Sequence, residues 1–469
     1  MKKPLWLVWI ALSMILAGIF GSRLMVDGDK SAFLVGEASH GHHQIELSCA
    51  TCHTEPFGGT EVLQDACTQC HQDELESAHD SHPRKKFSDP RNADLLNVLD
   101  ARYCVSCHSE HQKDDTLPMG VTVSDDYCFH CHQDIADERE SHQDLDYMSC
   151  GSAGCHNYHD NRALYEGFLT KHAQEPWLDD IARIGQANYA SGHASKSREQ
   201  DQKAEQEEGA VESKAFHAEN PTQHAQWSQS VHEVAGVDCL DCHRDQQTSD
   251  GWITEPPMTV CSDCHQNESE TYQQGKHGMR LAQGLSAITP SMARHEFVEG
   301  SGDLNHSCSS CHDSHDQNTQ VAAVEACVGC HADEHSTNFV DSPHGHQWQQ
   351  FQDGLIDAEQ AVSCATCHMP RMTVDNLHAG FALKEWQEND DASAEAIEQS
   401  VFVNHNQNDN LRPNEKMLRS VCMNCHGLPF AIDALADDAL IQRNFTGQPE
   451  AHVESVDWAL DRLKPNKAE

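Results

Sequence analysis

One long apolar run stands out along the chain, and it comes first. MKKPLWLVWIALSMILAGIFGSR places two lysines ahead of a predominantly apolar stretch from Pro4 to Phe20, with Arg23 after it. A positive end followed by such a run is an export signal. Its 17-residue core is slightly long for a cleaved leader and slightly short for a relaxed membrane span. No Ala-x-Ala site ends it and no cysteine follows for lipid attachment, which favours an uncleaved anchor over residues 1–25 against a cleaved signal peptide. Either way the rest of the chain lies outside the cytoplasm. Beyond that run the periodic patterns are short. AIDALADDALIQR (431–443) predicts a helix, and HVESVDWALDRLK places Val453, Val456, Leu460 and Leu463 on one helical face. Val121–Val123 is too short to support a sheet. The expected fold is mainly α with extensive irregular loops.

Composition explains why the patterns are thin. The 469 residues are 38% hydrophobic and 6% aromatic, little material for protein-only cores of this size. Something else must supply apolar contact area. The 22 cysteines and 35 histidines point to an inorganic or prosthetic component. The balance of 75 acids against 31 bases, a formal charge of −44, removes the basic footprint that nucleic-acid binding needs. Acidity keeps such a chain soluble; it also suits steering of a basic redox partner.

The cysteines follow one pattern. Ten C-x-x-C-H motifs occur: Cys49, Cys52 and His53; Cys67, Cys70 and His71; Cys104, Cys107 and His108; Cys128, Cys131 and His132; Cys239, Cys242 and His243. The remainder are Cys261, Cys264 and His265; Cys308, Cys311 and His312; Cys327, Cys330 and His331; Cys364, Cys367 and His368; Cys422, Cys425 and His426. This is the attachment signature of c-type haem: two thiols add across the porphyrin vinyl groups and the next histidine takes the proximal position on iron. Disulfides need no adjacent histidine, and zinc sites place histidine at other offsets. Two cysteines remain, Cys150 and Cys155, followed by His156. The intervening Gly151, Ser152, Ala153 and Gly154 are small enough to loop outward while both sulfurs reach one porphyrin. The expectation is an eleventh haem c, against ten haems and a local disulfide.

The sites form two groups, an expected five-haem domain over 40–165 and a six-haem domain over 216–469. Residues 157–238 carry no cysteine, and the charged run SKSREQDQKAEQEEGAVESK marks a linker at 190–215. Many sites pair about twenty residues apart, as Cys49 with Cys67 and Cys239 with Cys261, a loose repeat without a strict period. Eleven haems in 469 residues is about one per 43, so their faces must approach and substitute for the missing aliphatic core.

Once eleven histidines serve as proximal ligands, 24 remain, enough to give every iron a second imidazole. Iron held by two histidines favours outer-sphere electron transfer, whereas an open face favours small-molecule chemistry. Candidate distal ligands are His79, His82, His111, His142, His159, His232, His277, His315, His335, His344, His378 and His405, each near a motif or in a short polar loop. His130, inside CFHCH, reads as a bystander. No nucleophile–base set, phosphate loop or nicotinamide fingerprint is present, so no catalytic residue is assigned.

With its anchor, SCATCH, ARYCVSCHSEH and the C-x4-C-H variant, the segment 1–160 resembles the class III multihaem cytochromes and the membrane-anchored periplasmic cytochromes that draw electrons from quinol. That resemblance implies electron relay. Residues 230–428, through VCSDCHQNESETYQQGKHG, CSSCHDSHD, EACVGCHADEH, SPHGHQW, SCATCHMPR and EKMLRSVCMNCHG, resemble the octahaem hydroxylamine oxidoreductase family. This likeness implies an open iron face on the haem at Cys261, Cys264 and His265, with His277, His315, His344, His378 and His405 at ligand-like positions. Oxidative members tether that haem to a tyrosine after the last motif; no tyrosine follows Tyr272 here, and the region after the last haem is short. The expected function is therefore a periplasmic carrier anchored in the inner membrane. It would pass electrons from a quinol-side donor to a periplasmic or outer-membrane acceptor. The alternative is a multihaem reductase of nitrogen or sulfur oxyanions working at the Cys261 haem.

Overall fold

The computed structural model describes residues 3–25, 30–55, 58–77, 80, 82–117, 120–139, 142–143, 158–159, 220–245, 252–316, 318–373, 401–407, 417–418, 421–454, 456–457 and 461. His79, Cys150, Cys155, His156, the 190–215 linker and His378 lie outside them. Two compact units emerge: Met1–Gln72 with Arg84–Tyr127, and Asp73–Pro83 with Cys128–Glu469.

The first unit opens with the helix Lys3–Met25. Its stretch Leu5–Arg23 is long and apolar enough to cross a membrane, a test that a signal sequence also passes. Short helices and 3-10 turns follow. The helix Thr60–Ser77 is the longest of these and contains the CTQCH motif. Gln64 on it accepts a hydrogen bond from the Cys104 backbone N–H at 2.9 Å, which seats the third motif against the helix. Among the described residues of this unit, the buried apolar side chains are Ala38, Ile45 and Ala66.

The second unit is likewise built of short helices, with one antiparallel ribbon between β1 (Arg371–Thr373) and β2 (Val401–Val403), in which Met372 faces Phe402. It contains conventional cores. Ala323, Val324, Phe339, Trp348 and Ala361 form one cluster. Met417, Leu418, Met423, Leu428, Ala431, Ile432, Leu435 and Val456 form another. The helix expected over 431–443 is two helices, Leu428–Ala436 and Asp438–Gln442. Asp437 breaks it: its carboxylate caps the second helix at Leu440 N and also accepts from Glu450 N. Val453 and Val456 pack onto the second cluster; Leu460 and Leu463 are outside the described residues.

Candidate functional site

The motifs share a local design. Where the motif extends past regular helix, the histidine N–H bonds the first cysteine's carbonyl at 2.8–3.0 Å, as His53 to Cys49, His265 to Cys261 and His426 to Cys422. That helical turn carries both sulfurs and the imidazole together. Sequence supplies the start of several turns. Asp238, Ser307 and Ser363 stand just before the first cysteine, and each forms a capping box with the third motif residue. None of the twenty described cysteines is paired in a disulfide.

The imidazoles pair. Two rings that share one metal through a nitrogen each, at about 2 Å per bond, have centroids roughly 6 Å apart. Among the described residues eight proximal histidines face a second imidazole at that spacing. His71 faces His42 at 5.9 Å, His132 faces His82 at 6.1 Å, and His265 faces His232 at 6.2 Å. His243 faces His315 at 6.1 Å, His331 faces His277 at 6.2 Å, and His312 faces His405 at 6.2 Å. His368 faces His335 and His426 faces His344, both at 6.0 Å. The gaps fit an iron between each pair. No group of three or more His, Cys, Asp or Glu among the described residues could hold a bare metal ion.

The second nitrogen of many of these rings is engaged, as metal-binding imidazoles require for orientation. His335 Nδ1 bonds the Ile441 carbonyl at 2.5 Å, His405 the Val403 carbonyl at 2.8 Å, and His243 the Ile253 carbonyl at 2.7 Å. His82 bonds the Tyr158 carbonyl, and His232 the Ser314 carbonyl. His42 differs: its Nδ1 meets the Glu110 carboxylate at 2.6 Å. Burial opposes ionisation of Glu110, but hydrogen bonds from His42 and Ser39 outweigh it and hold the carboxyl down at about 2. Elsewhere burial keeps ligand-position imidazoles neutral, the form that binds metal: it pushes His312 and His344 down to about 4 and holds His277 well below the ordinary histidine value.

Backbone geometry aims these rings. β2 ends two residues before His405, whose N–H bonds Thr271 Oγ1 at 3.0 Å. Tyr272 OH meets His306 Nδ1 at 3.1 Å, and His306 stacks on His277 at 4.1 Å. A Cβ on Gly345 would collide with the Phe339 carbonyl, so glycine lets the helix Pro343–Gln352 bring His344 in.

Among the described residues, three expected ligands stand outside the eight pairs. His111 has φ +63, a conformation that L residues rarely adopt, and bonds the Gly36 carbonyl through Nδ1 at 3.0 Å. His159 bonds Asp80 at 2.9 Å, and His142 is half-buried beside Arg139. His42 and Glu110, not expected from sequence, join the site. The offset was the available signal: His42 precedes Cys49 by seven residues, as His232 precedes Cys239.

Neighbouring motifs touch through their sulfurs. Cys67 lies beside Cys104, Cys261 beside Cys308, and Cys327 beside Cys364. Cys52 lies near Cys70, Cys242 near Cys261 and Cys264, Cys311 near Cys327 and Cys330, and Cys367 near Cys422 and Cys425.

A family model described as Cytochrome c3 matches the chain twice, over residues 41–133 and 231–332. The chain is a multihaem c-type cytochrome. Its cofactor is covalently bound haem c. No curated protein and no solved structure matches it. The two matched regions of this cytochrome arrange their histidines alike. His42 and His232, each seven residues before the first motif, face the histidine of the second motif. His82 and His277, eleven and twelve residues after that histidine, face the histidine of the fourth motif.

Proposed function

We propose that this cytochrome is a periplasmic undecahaem electron carrier, held at the inner membrane by the helix Lys3–Met25. It moves single electrons between a quinol-side donor and a periplasmic or outer-membrane acceptor. The reading rests on the eight imidazole pairs, each spaced for one iron. Bound haem supplies a reversible ferric–ferrous couple, and two histidines leave that iron no site for substrate. The repeated arrangement extends the assignment. His243 faces His315, three residues after His312; the corresponding residues in the first region are His53 and His111, which is three residues after His108. His111 therefore closes the His53 iron, and its left-handed backbone is the local cost of that placement. Cys150, Cys155 and His156 hold the eleventh haem.

The sulfur contacts support a path that follows chain order. In the second unit each motif from Cys239 to Cys422 has its successor as neighbour. In the first, Cys52, Cys70, Cys67 and Cys104 link three motifs. The charge of −44 suits encounter with basic partner faces at either end.

The alternative, an oxyanion reductase, needs an open face on the Cys261 haem, and His232 stands 6.2 Å from His265 there. Low-temperature electron paramagnetic resonance of the holoprotein separates the two. The carrier shows only low-spin ferric haem, unmoved by nitrite or hydroxylamine. A high-spin signal that shifts with either ligand, accompanied by turnover, overturns it. Intact mass counts the haems, and Cys155→Ala leaves ten fully tethered.

A further inference from the structure

We infer that Glu110 tunes one haem of this protein: its carboxylate on His42 makes the haem at Cys67, Cys70 and His71 lower in potential than its counterpart at Cys261, Cys264 and His265. This deepens the electron-carrier reading and rests on His42 being an iron ligand. The two regions supply an internal control. His42 and His232 hold the same position in the repeat, and both face the histidine of the second motif at 5.9 and 6.2 Å. They differ in what receives the other ring nitrogen. His232 meets a neutral backbone carbonyl, that of Ser314. His42 meets the carboxylate of Glu110 at 2.6 Å. Glu110 and Ser314 are themselves matched positions, each one residue before the histidine that stands three places after the third-motif histidine, in HSEH (108–111) and HDSH (312–315).

The carboxylate is gripped. Ser39 N–H donates to Oε2 at 2.8 Å and Ser39 Oγ to Oε1 at 2.9 Å, so both oxygens are aimed. Ser39 and His42 belong to one turn, closed by the His42 N–H on the Ser39 carbonyl at 3.1 Å. With Nδ1 bound to the carboxylate, His42 presents Nε2 to iron. An anionic acceptor draws the Nδ1 proton away from the ring and raises the electron density on Nε2. That favours ferric over ferrous iron, and such hydrogen bonding is one of the levers by which protein sets haem potential. A carbonyl acceptor does this more weakly, because charge-assisted hydrogen bonds are the stronger kind.

The test is an equilibrium redox titration of the full-length holoprotein carrying Glu110→Gln, followed by optical and electron paramagnetic resonance spectra. The amide keeps an acceptor for His42 and removes the charge. One haem transition moves to more positive potential, the others overlay the wild type, and every haem stays low-spin. Ser39→Ala gives a smaller shift in the same direction. Unchanged transitions, a negative shift, or loss of a low-spin signal in Glu110→Gln overturns the inference; the last would make Glu110 a mere clamp. His42→Ala keeps this failure apart from that of the carrier reading: if no low-spin haem changes there, His42 is not a ligand and the pairing itself fails.

Discussion

Residues 41–133 and 231–332 hold their imidazoles at the same spacing with different amounts of apolar support. The first region buries Ile45 and Ala66 among its described residues. The second buries Tyr272, Ile288, Ala323 and Val324, and the last two continue into the cluster around Phe339 and Trp348. Since His42 and His71 stand as far apart as His232 and His265, hydrophobic packing is not what sets the distance. Motif offsets and the demand of a shared metal set it. On the proposed reading, porphyrin serves as the core in the first region and is added to one in the second.

Removing a haem is the harshest trial of that contrast. Cys67→Ala with Cys70→Ala should unfold much of 41–127, because the helix Thr60–Ser77 then has little apolar to lie against. The matching pair, Cys261→Ala with Cys264→Ala, should leave 318–373 ordered on its own cluster. Limited proteolysis read by mass spectrometry distinguishes them. A first region that stays protected without its haem breaks the comparison.

The next largest effect attacks the protein core instead. Trp348 is 4% exposed between Val324, Phe339 and Phe351. Trp348→Ala should cost about 3–5 kcal/mol, the range for truncating a buried large aromatic. Thermal unfolding should show the loss in the second region, with haem content unchanged. An equal loss of haem would mean that porphyrin, not this cluster, carries the second region as well.

A subtler spectroscopic effect sharpens the correspondence between the regions. His243 and His315 are nearly parallel at 9°, whereas His82 and His132 cross at 87° and His335 and His368 at 90°. Near-parallel axial imidazoles give ordinary rhombic low-spin signals, and crossed ones give signals of large maximum g. His315→Ala should remove a rhombic component and create one high-spin iron. His111→Ala should create one high-spin iron too. If it does not, the two regions differ at their first haem.

These contrasts show how far sequence could reach. Haem attachment is local, five residues in one helical turn, so ten motifs could be read directly. The identity of each second ligand is long-range. His405 meets His312 from 93 residues further along the chain (405 − 312), and nothing in NHNQN says which iron it serves. His335 lies four residues after His331 yet faces His368. His42 was hidden in the run HGHH, where the sevenfold offset becomes visible only beside His232. Helical periodicity was weak for a related reason: where porphyrin occupies the apolar side of an element, few aliphatic residues remain to mark it. It was strong at 431–443, where the core is protein, and failed there only at Asp437, whose capping role competes with helix continuation.

The smallest effect lies at the far end of that protein core. His452 bridges two carboxylates on the surface, Nδ1 to Asp433 at 3.0 Å and Nε2 to Asp457 at 2.9 Å. Hydrogen bonds to Asp433 and then Asp457 raise its pKa from 6.5 to about 9. A cation whose folded-state pKa is raised contributes its full stabilisation below the unfolded value, where both states are protonated. The contribution falls as pH rises above 6.5, because the unfolded chain then releases a proton that the folded chain keeps, and it is gone above about 9. Solvent exposure keeps the effect small. The melting temperature of wild type should exceed that of His452→Gln most below pH 6.5 and converge with it above pH 9. Since this segment packs Val453 and Val456 on the cluster around Leu428, the pH dependence should appear in the melting of the second region and leave the first untouched. A difference that stays constant with pH would mean that His452 acts there by packing rather than by charge.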